Sequence, residues 1–351
     1  MKVCPLNFWL LPLVLVLLAC EPVKQDHAHS GRAVARGTPV KPGRVVDFPA
    51  DHGIHSQQGI EWWYLTANLT SNSGDTFGVQ WTLFRTLLPG SVESKWWDDN
   101  LYFAHFALQH EQTHMAFERF ARAGQAKVSS TPFEAVLDDW QLRSLGGDFL
   151  PLQLTAKETN YAVSLTLDNS PVTLHGDNGY SQKTQSGHAS FYFSYPFLRV
   201  TGSLTFAGKD YTVSGHAWYD REWSASLLDT DQVGWDWFSL VDEELKNGLM
   251  LFCIRDKNDN YENCAGSLID AEGVAVSLQH QDISLTVQQT ISLGNKTYPR
   301  KWRVDLPNRE PTIIETITHD SRNQLSISYW EGRIQSTGGF AGKGYGEVTG
   351  N

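Results

Sequence analysis

Short alternating runs of apolar and polar residues fill most of the chain. Leu, Val, Thr, Tyr and Trp recur in these runs, and Gly, Asn, Asp and Ser interrupt them at intervals of about 8–12 residues. A period of two is typical of strands that bury one face, and long runs with helical spacing are scarce. The pattern therefore predicts an all-β protein of antiparallel strands joined by turns.

The chain also contains an internal repeat. GIEWWYL at 59–65 returns as GWDWFSL at 234–240, and each copy leads through a turn into a strand that ends in an arginine, Arg85 or Arg255. A second pair of similar segments is FAGKDYTVSG at 206–215 and FAGKGYGEVTG at 340–350. Unless the likeness is a chance result in an aromatic-rich chain, it predicts two similar β domains. Each domain opens on the tryptophan strand and closes on the FAGK hairpin.

The repeat gives domain bounds of 45–215 and 216–351, with the junction segment 216–224 opening the second domain. Each part is long enough for about eight to ten antiparallel strands, the number that closes a small barrel. The N-terminal domain carries an insert, Pro89 to Phe120, whose second half alternates like two strands joined by a turn. We assign no site to the histidines of this insert.

The N-terminus predicts an exported lipoprotein. Lys2 precedes an apolar run, Phe8 to Ala19, that is too short to span a bilayer and resembles a signal-peptide core over residues 1–19. Leu17 to Cys20 resembles the bacterial lipobox, in which the cysteine is acylated; an ordinary secretory signal with a chance cysteine is the alternative. Glu21 favours the periplasmic side of the outer membrane, and residues 20–44 are predicted to form a flexible tether.

Two cysteines remain in the predicted folded part, Cys253 and Cys264. They flank a DKNDN turn between two strand-like runs, so a hairpin would place them opposite each other. An oxidising periplasm would allow a disulfide. Two buried free thiols are the alternative.

Composition excludes several classes of function. The net charge is −11 over 351 residues, and no stretch gathers enough Lys and Arg to bind a nucleic acid. No G-x-S-x-G elbow, phosphate loop or C-x-x-C pair is present, and no cofactor is implied. The segment DHGIH at 51–55 offers two imidazoles but fixes no third ligand, so we predict no metal site.

The repeated tryptophan and arginine suggest a structural role. In a small barrel, a tryptophan on the first strand packs across the closed end beneath an arginine guanidinium, a cation–π contact of order 1 kcal/mol. This reasoning pairs Trp62 with Arg85 and Trp237 with Arg255. The acid beside each tryptophan, Glu61 or Asp236, would hold the arginine in place.

The densest group of chemical side chains is GHAWYDREWS at 215–224. In a strand, the even-numbered residues would share one face, and two carboxylates at alternate positions, about 7 Å apart, would raise each other's pKa if water were excluded. The alternative is that these acids pair with Arg221 or Arg199 and only clasp the domains together. The candidate catalytic residues are Asp220, Glu222 and His216. The candidate ligand-binding or junction residues are Trp218, Tyr219, Arg221, Trp223, Glu61, Trp63, Tyr64, Asp236 and Trp237.

Several long motifs, in order, resemble one known family. FPADHGIHSQQGIEWWYLTANL, YSQKTQSGHASFYFSYPFLRVTGSL, GHAWYDREWS, GWDWFSLV, YPRKWRV and YWEGRIQSTGG are similar to the secreted AttH-like proteins, which include the carotenoid 1,2-hydratases of the CrtC type. The resemblance implies two lipocalin-like (calycin) antiparallel barrels packed together, on an exported or lipid-anchored protein. Members are often labelled predicted secreted hydrolases or hydratases.

The hydratases of that family are thought to protonate a terminal alkene and add water to the cation. Such chemistry needs a carboxylic acid kept protonated in an apolar pocket. In those members, a histidine stands where this chain has Arg221, and a tyrosine and an aspartate fall near Met250 to Phe252, where this chain has no acid. Both departures disfavour hydration of a carotenoid.

Two functions of different classes therefore follow from the sequence. The first is a lipid-anchored periplasmic protein that binds or carries an apolar small molecule or lipid. The alternative is an acid–base enzyme, hydratase-, isomerase- or hydrolase-like, that acts on an apolar isoprenoid-like substrate. The predicted partners are that ligand, the membrane and, because family genes often neighbour them, an export permease of the ABC type.

Overall fold

The computed structural model describes residues 37–88, 99–121, 124–184, 187–226, 228 and 232–350. The predicted signal peptide, the lipidation site Cys20 and the tether as far as residue 36 lie outside the described residues. In the described part, no helix is both long and apolar enough to span a membrane. The only helical turns described are two short 3₁₀ helices, Ala50–His52 and His280–Asp282.

The first domain is an antiparallel sheet of thirteen strands that curls into a nearly closed barrel. The strands are β1 (Ile60–Ser71), β2 (Thr76–Leu87), β3 (Asn100–His110), β4 (Thr113–Ala121), β5 (Ala126–Ser130), β6 (Phe133–Leu137), β7 (Trp140–Ser144), β8 (Leu152–Glu158), β9 (Tyr161–Asp168), β10 (Thr173–Leu174), β11 (Tyr180–Gln182), β12 (Ala189–Phe206) and β13 (Lys209–Ser224). Their order is β4-β3-β2-β1-β13-β12-β9-β8-β7-β6-β5, and β10 and β11 pair with β12. The last strand, β13, therefore returns to lie beside the first.

The second domain is a sheet of ten antiparallel strands that forms a half-barrel. The strands are β14 (Gln232–Val241), β15 (Gly248–Asp256), β16 (Tyr261–Ile269), β17 (Ala275–Leu278), β18 (Ser284–Leu293), β19 (Lys296–Asp305), β20 (Thr312–Thr316), β21 (Arg322–Asn323), β22 (Tyr329–Gly338) and β23 (Gly342–Val348). Their order is β17-β16-β15-β14-β23-β22-β20-β19-β18, and β21 pairs with β22. The all-β, two-domain architecture expected from the sequence is confirmed.

The internal repeat corresponds to equivalent strands of the two sheets. In each domain the tryptophan strand, β1 or β14, lies between the next strand along the chain and the last strand of its sheet. The FAGK segments form the β12–β13 and β22–β23 hairpins. The predicted insert in the first domain is the β3–β4 hairpin, and its Trp96 and Trp97 lie outside the described residues.

The domain boundary differs from the predicted one. Strand β13 pairs with β1 without interruption from Val213 to Ser224, so the segment 216–224 belongs to the first sheet and does not open the second domain. The reason is that the alternation of the FAGK hairpin continues unbroken through GHAWYDREWS. The second sheet begins only at Gln232.

Three apolar cores hold the protein together. The first barrel is filled by side chains that include Trp63, Trp81 and Trp140, and the half-barrel by Trp302 and Trp330, all at or near zero exposure. A disulfide joins Cys253 on β15 to Cys264, its direct partner on β16. The third core lies between the domains and consists of Tyr64, Tyr192, Phe197, Trp218, Trp237, Val241, Met250, Ile269 and Tyr345.

The outer faces of the two sheets pack closely in this third core. Gly78 on β2 illustrates the fit, because a Cβ there would lie 2.3 Å from the Tyr345 hydroxyl of the second domain. The hydroxyl of Tyr64 donates to a carboxylate oxygen of Glu331, 2.5 Å away, and so links the domains by a buried hydrogen bond. The domains therefore form an extensive common interface.

Candidate functional site

Strand alternation gives β1 and β13 two chemically different faces. On β1, Glu61 and Trp63 lie on the barrel side, and Tyr64 lies on the side of the second domain. On β13, Arg221 lies on the barrel side and Asp220 on the interface side. Because neighbouring residues in a strand point in opposite directions, GHAWYDREWS contributes to two separate sites.

The first site, the barrel-end cluster, consists of Glu61, Asp51, His55, Arg44, Arg85 and Arg221. Glu61 is fully buried and accepts hydrogen bonds from the guanidinium groups of Arg85 and Arg221. Burial alone raises the pKa of Glu61, but Arg221, His55 and Arg85 outweigh it and lower the pKa to about 2. Glu61 is therefore a permanent anion held between cations.

The rest of the barrel-end cluster is also matched in charge. The Asp51 carboxylate accepts from Arg44 Nη1 at 2.8 Å and lies 3.0 Å from His55 Nε2. Burial raises the pKa of Asp51, but these partners hold it well below its usual range. The Arg221 guanidinium carbon lies 4.1 Å from the Trp63 ring centroid. Three arginines thus face two carboxylates, an arrangement that closes the end of the barrel.

The predicted pairing of tryptophan with arginine is wrong in its partners. Arg85 and Arg255 do pair with the acids beside the tryptophans, and Arg255 Nε lies 3.1 Å from Asp236 Oδ1. Trp62 and Trp237, however, pack with the interface core on the opposite face of their strands. A residue next to an inward-facing acid must face outward, so Trp62 cannot pack inside the barrel. The tryptophan of β1 that packs beneath an arginine is Trp63, and that arginine is Arg221.

The second site, the interdomain acid cluster, consists of Asp220 and Glu222 on β13, Glu331 on β22 and Glu347 on β23. Asp220 is buried and accepts from the Ser194 hydroxyl and, at 2.7 Å, from Trp218 Nε1. Burial raises the pKa of Asp220 to about 7, and the neighbouring Glu222 adds to the rise, against the opposing effect of the hydrogen bonds. Asp220 therefore holds a proton for much of the time at neutral pH.

Lys183 supplies the positive charge of this cluster. Its ammonium nitrogen lies 2.9 Å from Glu222 Oε1 and 4.5 Å from the Phe252 ring centroid. Among the described residues, no ion pair reaches Asp220, Glu331 or Glu347. Glu222 is thus the one member of the cluster with an ion pair among the described residues, and a buried arginine, Arg333, lies two residues beyond Glu331 on β22.

Glu331 and Glu347 lie directly opposite each other on adjacent strands. Burial and the neighbouring Glu347 raise the pKa of Glu331 well above its usual range. Glu347, the least enclosed of the four, accepts from Trp235 Nε1 at 2.7 Å, and burial raises its pKa to about 7. Asp220 and Glu222 across the interface add to that rise. The cluster is consequently protonated in part at neutral pH.

Two neutral histidines that the sequence analysis did not select join the interface. His175 Nε2 lies 2.7 Å from Ser194 Oγ, and His105 Nδ1 lies 2.7 Å from the Tyr329 hydroxyl. Burial lowers the pKa of each histidine to about 3. His105 of the β3–β4 insert thus contacts the second domain, and no spacing in the sequence could have linked it to Tyr329.

The predicted catalytic residues are not all brought together. Asp220 and Glu222 lie in the interdomain acid cluster, whereas His216 lies beside Lys343 in a cavity of about 10 Å³ that Ser239 also lines. Burial lowers the pKa of His216 to about 4, and Lys343 contributes. Of the other predicted junction residues, Trp218, Tyr64 and Trp237 belong to the interface core. Tyr219, Trp223, Arg221, Trp63 and Glu61 lie on the barrel side, and Asp236 lies within the half-barrel.

One small cavity lies between the domains, among the described residues, beside His216 and Trp218. The cavity of about 10 Å³ has room for one water molecule. A larger groove of about 470 Å³ lies elsewhere, between Ile269 and Phe340 at the edge of the second sheet. A ligand would have to part the two domains to reach Asp220. No group of three or more potential metal ligands occurs in the described part of the chain.

Two lipocalin-like β domains, packed through their outer faces over buried acids, define the structural class. The AttH-like family model matches residues 39–351, and the chain belongs to that family. No curated protein sequence matches the chain significantly.

Solved structures share this architecture. A candidate AttH from Nitrosomonas europaea is 33% identical, with a TM-score of 0.80, over 89% of this chain and 99% of that one. Kievitone hydratase from Nectria haematococca is 17% identical, with a TM-score of 0.67, over 91% and 98% of the two chains. CghA is 11% identical, with a TM-score of 0.53, over 92% and 97%. The last two similarities concern the fold alone.

Proposed function

We propose that the chain binds an apolar small molecule between its two domains and acts on it as an acid–base enzyme, with Asp220 as the proton donor. The observation that carries this proposal is a carboxyl group that is buried among aromatic rings and keeps its proton near neutral pH. A proton donor works best when its pKa lies near the working pH. A protein that only packs two domains has no need of three such acids.

The proposed reaction is the addition of water to a neutral, electron-rich double bond. The O–H bond of Asp220 breaks as a C–H bond forms, which leaves a carbocation and a carboxylate. The rings of Trp218, Trp237 and Tyr192 line the interface and would stabilise that cation through their π faces. Water then adds to the cation and returns its proton to Asp220, so the acid is regenerated.

The comparisons support the reaction class only in a general way. Kievitone hydratase, whose name describes a hydration, shares the fold. The segment Met250 to Phe252 carries no acid, and Arg221 is committed to the barrel-end cluster. We therefore propose an apolar, neutral substrate of isoprenoid-like character and not a carotenoid.

Isotope incorporation tests this function even though the substrate is unidentified. The full chain is incubated in oxygen-18 water with an apolar extract of the cells that produce it, and products are sought by mass spectrometry. The wild type should incorporate one heavy water into an extract component, and Asp220→Asn should abolish that product. Asp75→Asn, which changes a partly exposed acid on the β1–β2 turn, should retain it. Product formation by Asp220→Asn at the wild-type rate would refute the proposal.

A second candidate function is that of a carrier. The apolar core between the domains favours it, because a molecule bound among those rings would be shielded from water during transfer. Native mass spectrometry of protein purified from its own membranes separates the two functions. A carrier would retain an unchanged ligand in both wild type and Asp220→Asn, whereas an enzyme would convert it only in the wild type.

We propose further that Cys20 is acylated and holds the protein on the periplasmic side of the outer membrane, where an ABC-type export permease is a partner. The support is the LLAC sequence and the Glu21 that follows it. Cys20→Ser should move the protein from the membrane fraction to the soluble periplasm. Retention of that variant in the outer membrane would contradict the anchor.

A further inference from the structure

A chain of hydrogen bonds crosses from the second domain to Asp220. Ser267 Oγ on β16 lies 2.9 Å from His175 Nδ1, and His175 Nε2 lies 2.7 Å from Ser194 Oγ on β12. The Ser194 hydroxyl in turn contacts Asp220 Oδ1. Ser267, His175 and Ser194 are all fully buried, and outside this chain Tyr192 also hydrogen-bonds to Ser194.

Because each of these groups has a fixed number of donor protons, all the hydrogen bonds of the chain must point in the same direction at any one time. A neutral imidazole has one N–H donor and one acceptor nitrogen, and a serine hydroxyl has one proton to donate. If Asp220 is ionised, Ser194 must donate to it, so Nε2–H donates to Ser194 and Ser267 donates to Nδ1. If Asp220 is protonated on Oδ1, the contacts from Asp220 to Ser267 are satisfied in the opposite direction, with the imidazole proton on Nδ1, while Oδ1 still accepts from Trp218 Nε1–H.

We propose that His175 is a positioning residue for Asp220. The imidazole proton of His175 moves from Nδ1 to Nε2 when Asp220 gives up its proton, and it returns to Nδ1 when Asp220 regains one. The inference rests on the proposed role of Asp220 as proton donor. One proton leaves Asp220 for the substrate, or for solvent in a titration. Separately, the imidazole gives its Nδ1 proton to solvent by way of Ser267 and takes one from solvent at Nε2, so it stays neutral throughout.

Such a chain matters because a buried acid must be stable in both of its charge states. A fixed donor would stabilise only the carboxylate, and a fixed acceptor only the acid. A hydrogen-bond chain that can reverse its direction offers a donor to the carboxylate and an acceptor to the protonated acid. Because Ser267 belongs to the second domain, parting of the domains would break the chain at its far end.

The neighbouring charges keep His175 neutral while Asp220 titrates. Lys183 lies near the histidine and, with burial, lowers its pKa to about 3. Tyr192 packs on the imidazole with ring centroids 4.2 Å apart, and its pKa is raised well above the ordinary value. The other groups that act on Asp220 are Trp218 and Tyr192, whose hydrogen bonds lower its pKa, and Glu222. Across the interface, Asp220 and Glu347 also interact. His175 therefore changes its tautomer without forming the imidazolium cation.

Nitrogen-15 NMR of histidine-labelled full chain reads the tautomer directly. We expect the His175 proton on Nδ1 at about pH 5 and on Nε2 at about pH 9. The midpoint of this tautomer change should coincide with the midpoint of the Asp220 carboxyl titration. His175→Gln assigns the signals. His52, a buried neutral histidine in the barrel whose Nε2 faces the Tyr195 hydroxyl, serves as the internal control and should keep one tautomer.

Two variants test the coupling itself. Ser194→Ala cuts the chain next to Asp220, so the tautomer of His175 should no longer follow pH. Ser267→Ala leaves Nδ1 without a partner, so the ring should hold the Nε2–H form throughout. A single His175 tautomer in the wild type, while Asp220 titrates, would overturn the inference and would place the acidic proton on the oxygen remote from Ser194. These readouts need no substrate, so failure to detect hydration leaves them intact, and a fixed tautomer leaves the hydration assay intact.

Discussion

The barrel-end cluster and the interdomain acid cluster use the same two strands but treat their carboxyl groups in opposite ways. On one side of the β1–β13 pair, Glu61 and Asp51 are surrounded by Arg44, Arg85 and Arg221. Their pKa values are lowered although both groups are buried. On the other side, only Glu222 of the four carboxyl groups has an ion pair among the described residues, with Lys183, and the other three have raised pKa values.

This difference shows that neighbouring cations, and not burial alone, determine whether the pKa of a buried carboxyl group is lowered or raised in this protein. Burial is the largest influence on Glu61 and on Asp220 alike and raises the pKa of both. Arginines reverse the effect at Glu61, and none does so at Asp220. A carboxylate locked between arginines can only stabilise a structure, whereas an acid that keeps its proton near neutral pH can give it away.

The largest expected effect concerns the barrel-end cluster. Glu61→Gln removes the anion that holds Arg85 and Arg221, and it leaves two buried cations without their partner. We expect a loss of about 3–5 kcal/mol in the free energy of unfolding, measured by urea denaturation. Glu134→Gln breaks the exposed pair with Lys127 and should cost less than about 1 kcal/mol. Equal losses in the two variants would show that the cluster is not structural.

A smaller loss should follow removal of the ammonium that pairs with Glu222. Lys183→Met leaves the Glu222 carboxylate buried without its ion pair, and we expect about 2–3 kcal/mol of destabilisation at pH 8. Lys246→Met, which affects an exposed pair with Glu244, is the matched control. An unchanged denaturation midpoint for Lys183→Met would mean that Glu222 does not need this partner.

The two clusters should respond to pH with opposite signs. Asp220 and Glu347, with folded pKa values of about 7, contribute stability below their ordinary pKa values of 3.8 and 4.5 and lose it as pH rises through 7. Glu61 contributes stability above 4.5 and loses it as pH falls toward 2. Between about pH 6 and pH 9 the Tm should fall by about 2–4 °C in calorimetry. A Tm that rises over this range would contradict the interface assignment.

The smallest change in stability is expected for Asp220→Asn. The amide is nearly isosteric with the protonated acid, so the free energy of unfolding at about pH 6 should change by less than about 1 kcal/mol. The decline of Tm above pH 7 should become shallower, because one buried ionisation is removed. A loss as large as that of Glu61→Gln would instead make Asp220 a structural residue.

Much of the fold could be predicted because it depends on local patterns. The period-two alternation, the repeated tryptophan strand and the FAGK hairpin predict two β domains, and adjacent strands carry the joined Cys253 and Cys264. The pairing of each acid with an arginine follows from the direct contact between consecutive strands. These features involve residues that are close along the chain.

The interdomain acid cluster depends on contacts that no local pattern encodes. Asp220 stood out because it lies in a dense motif, but Glu331 lies more than a hundred residues further on and meets Tyr64, 267 positions earlier, only through domain packing. The arginine over Trp63 was misassigned for the same reason, since β13 returns to β1 from the far end of the domain. His175 likewise contacts the second sheet through Ser267, a contact that depends on domain packing.

The central claim, that the interface stores protons on buried carboxyl groups near neutral pH, can be tested most directly by infrared difference spectroscopy of the full chain. The account predicts a protonated-carboxyl C=O band at about pH 6 that is lost by about pH 9. The band should be smaller in Asp220→Asn and unchanged in Asp75→Asn. The absence of any protonated-carboxyl band at about pH 6 would contradict it.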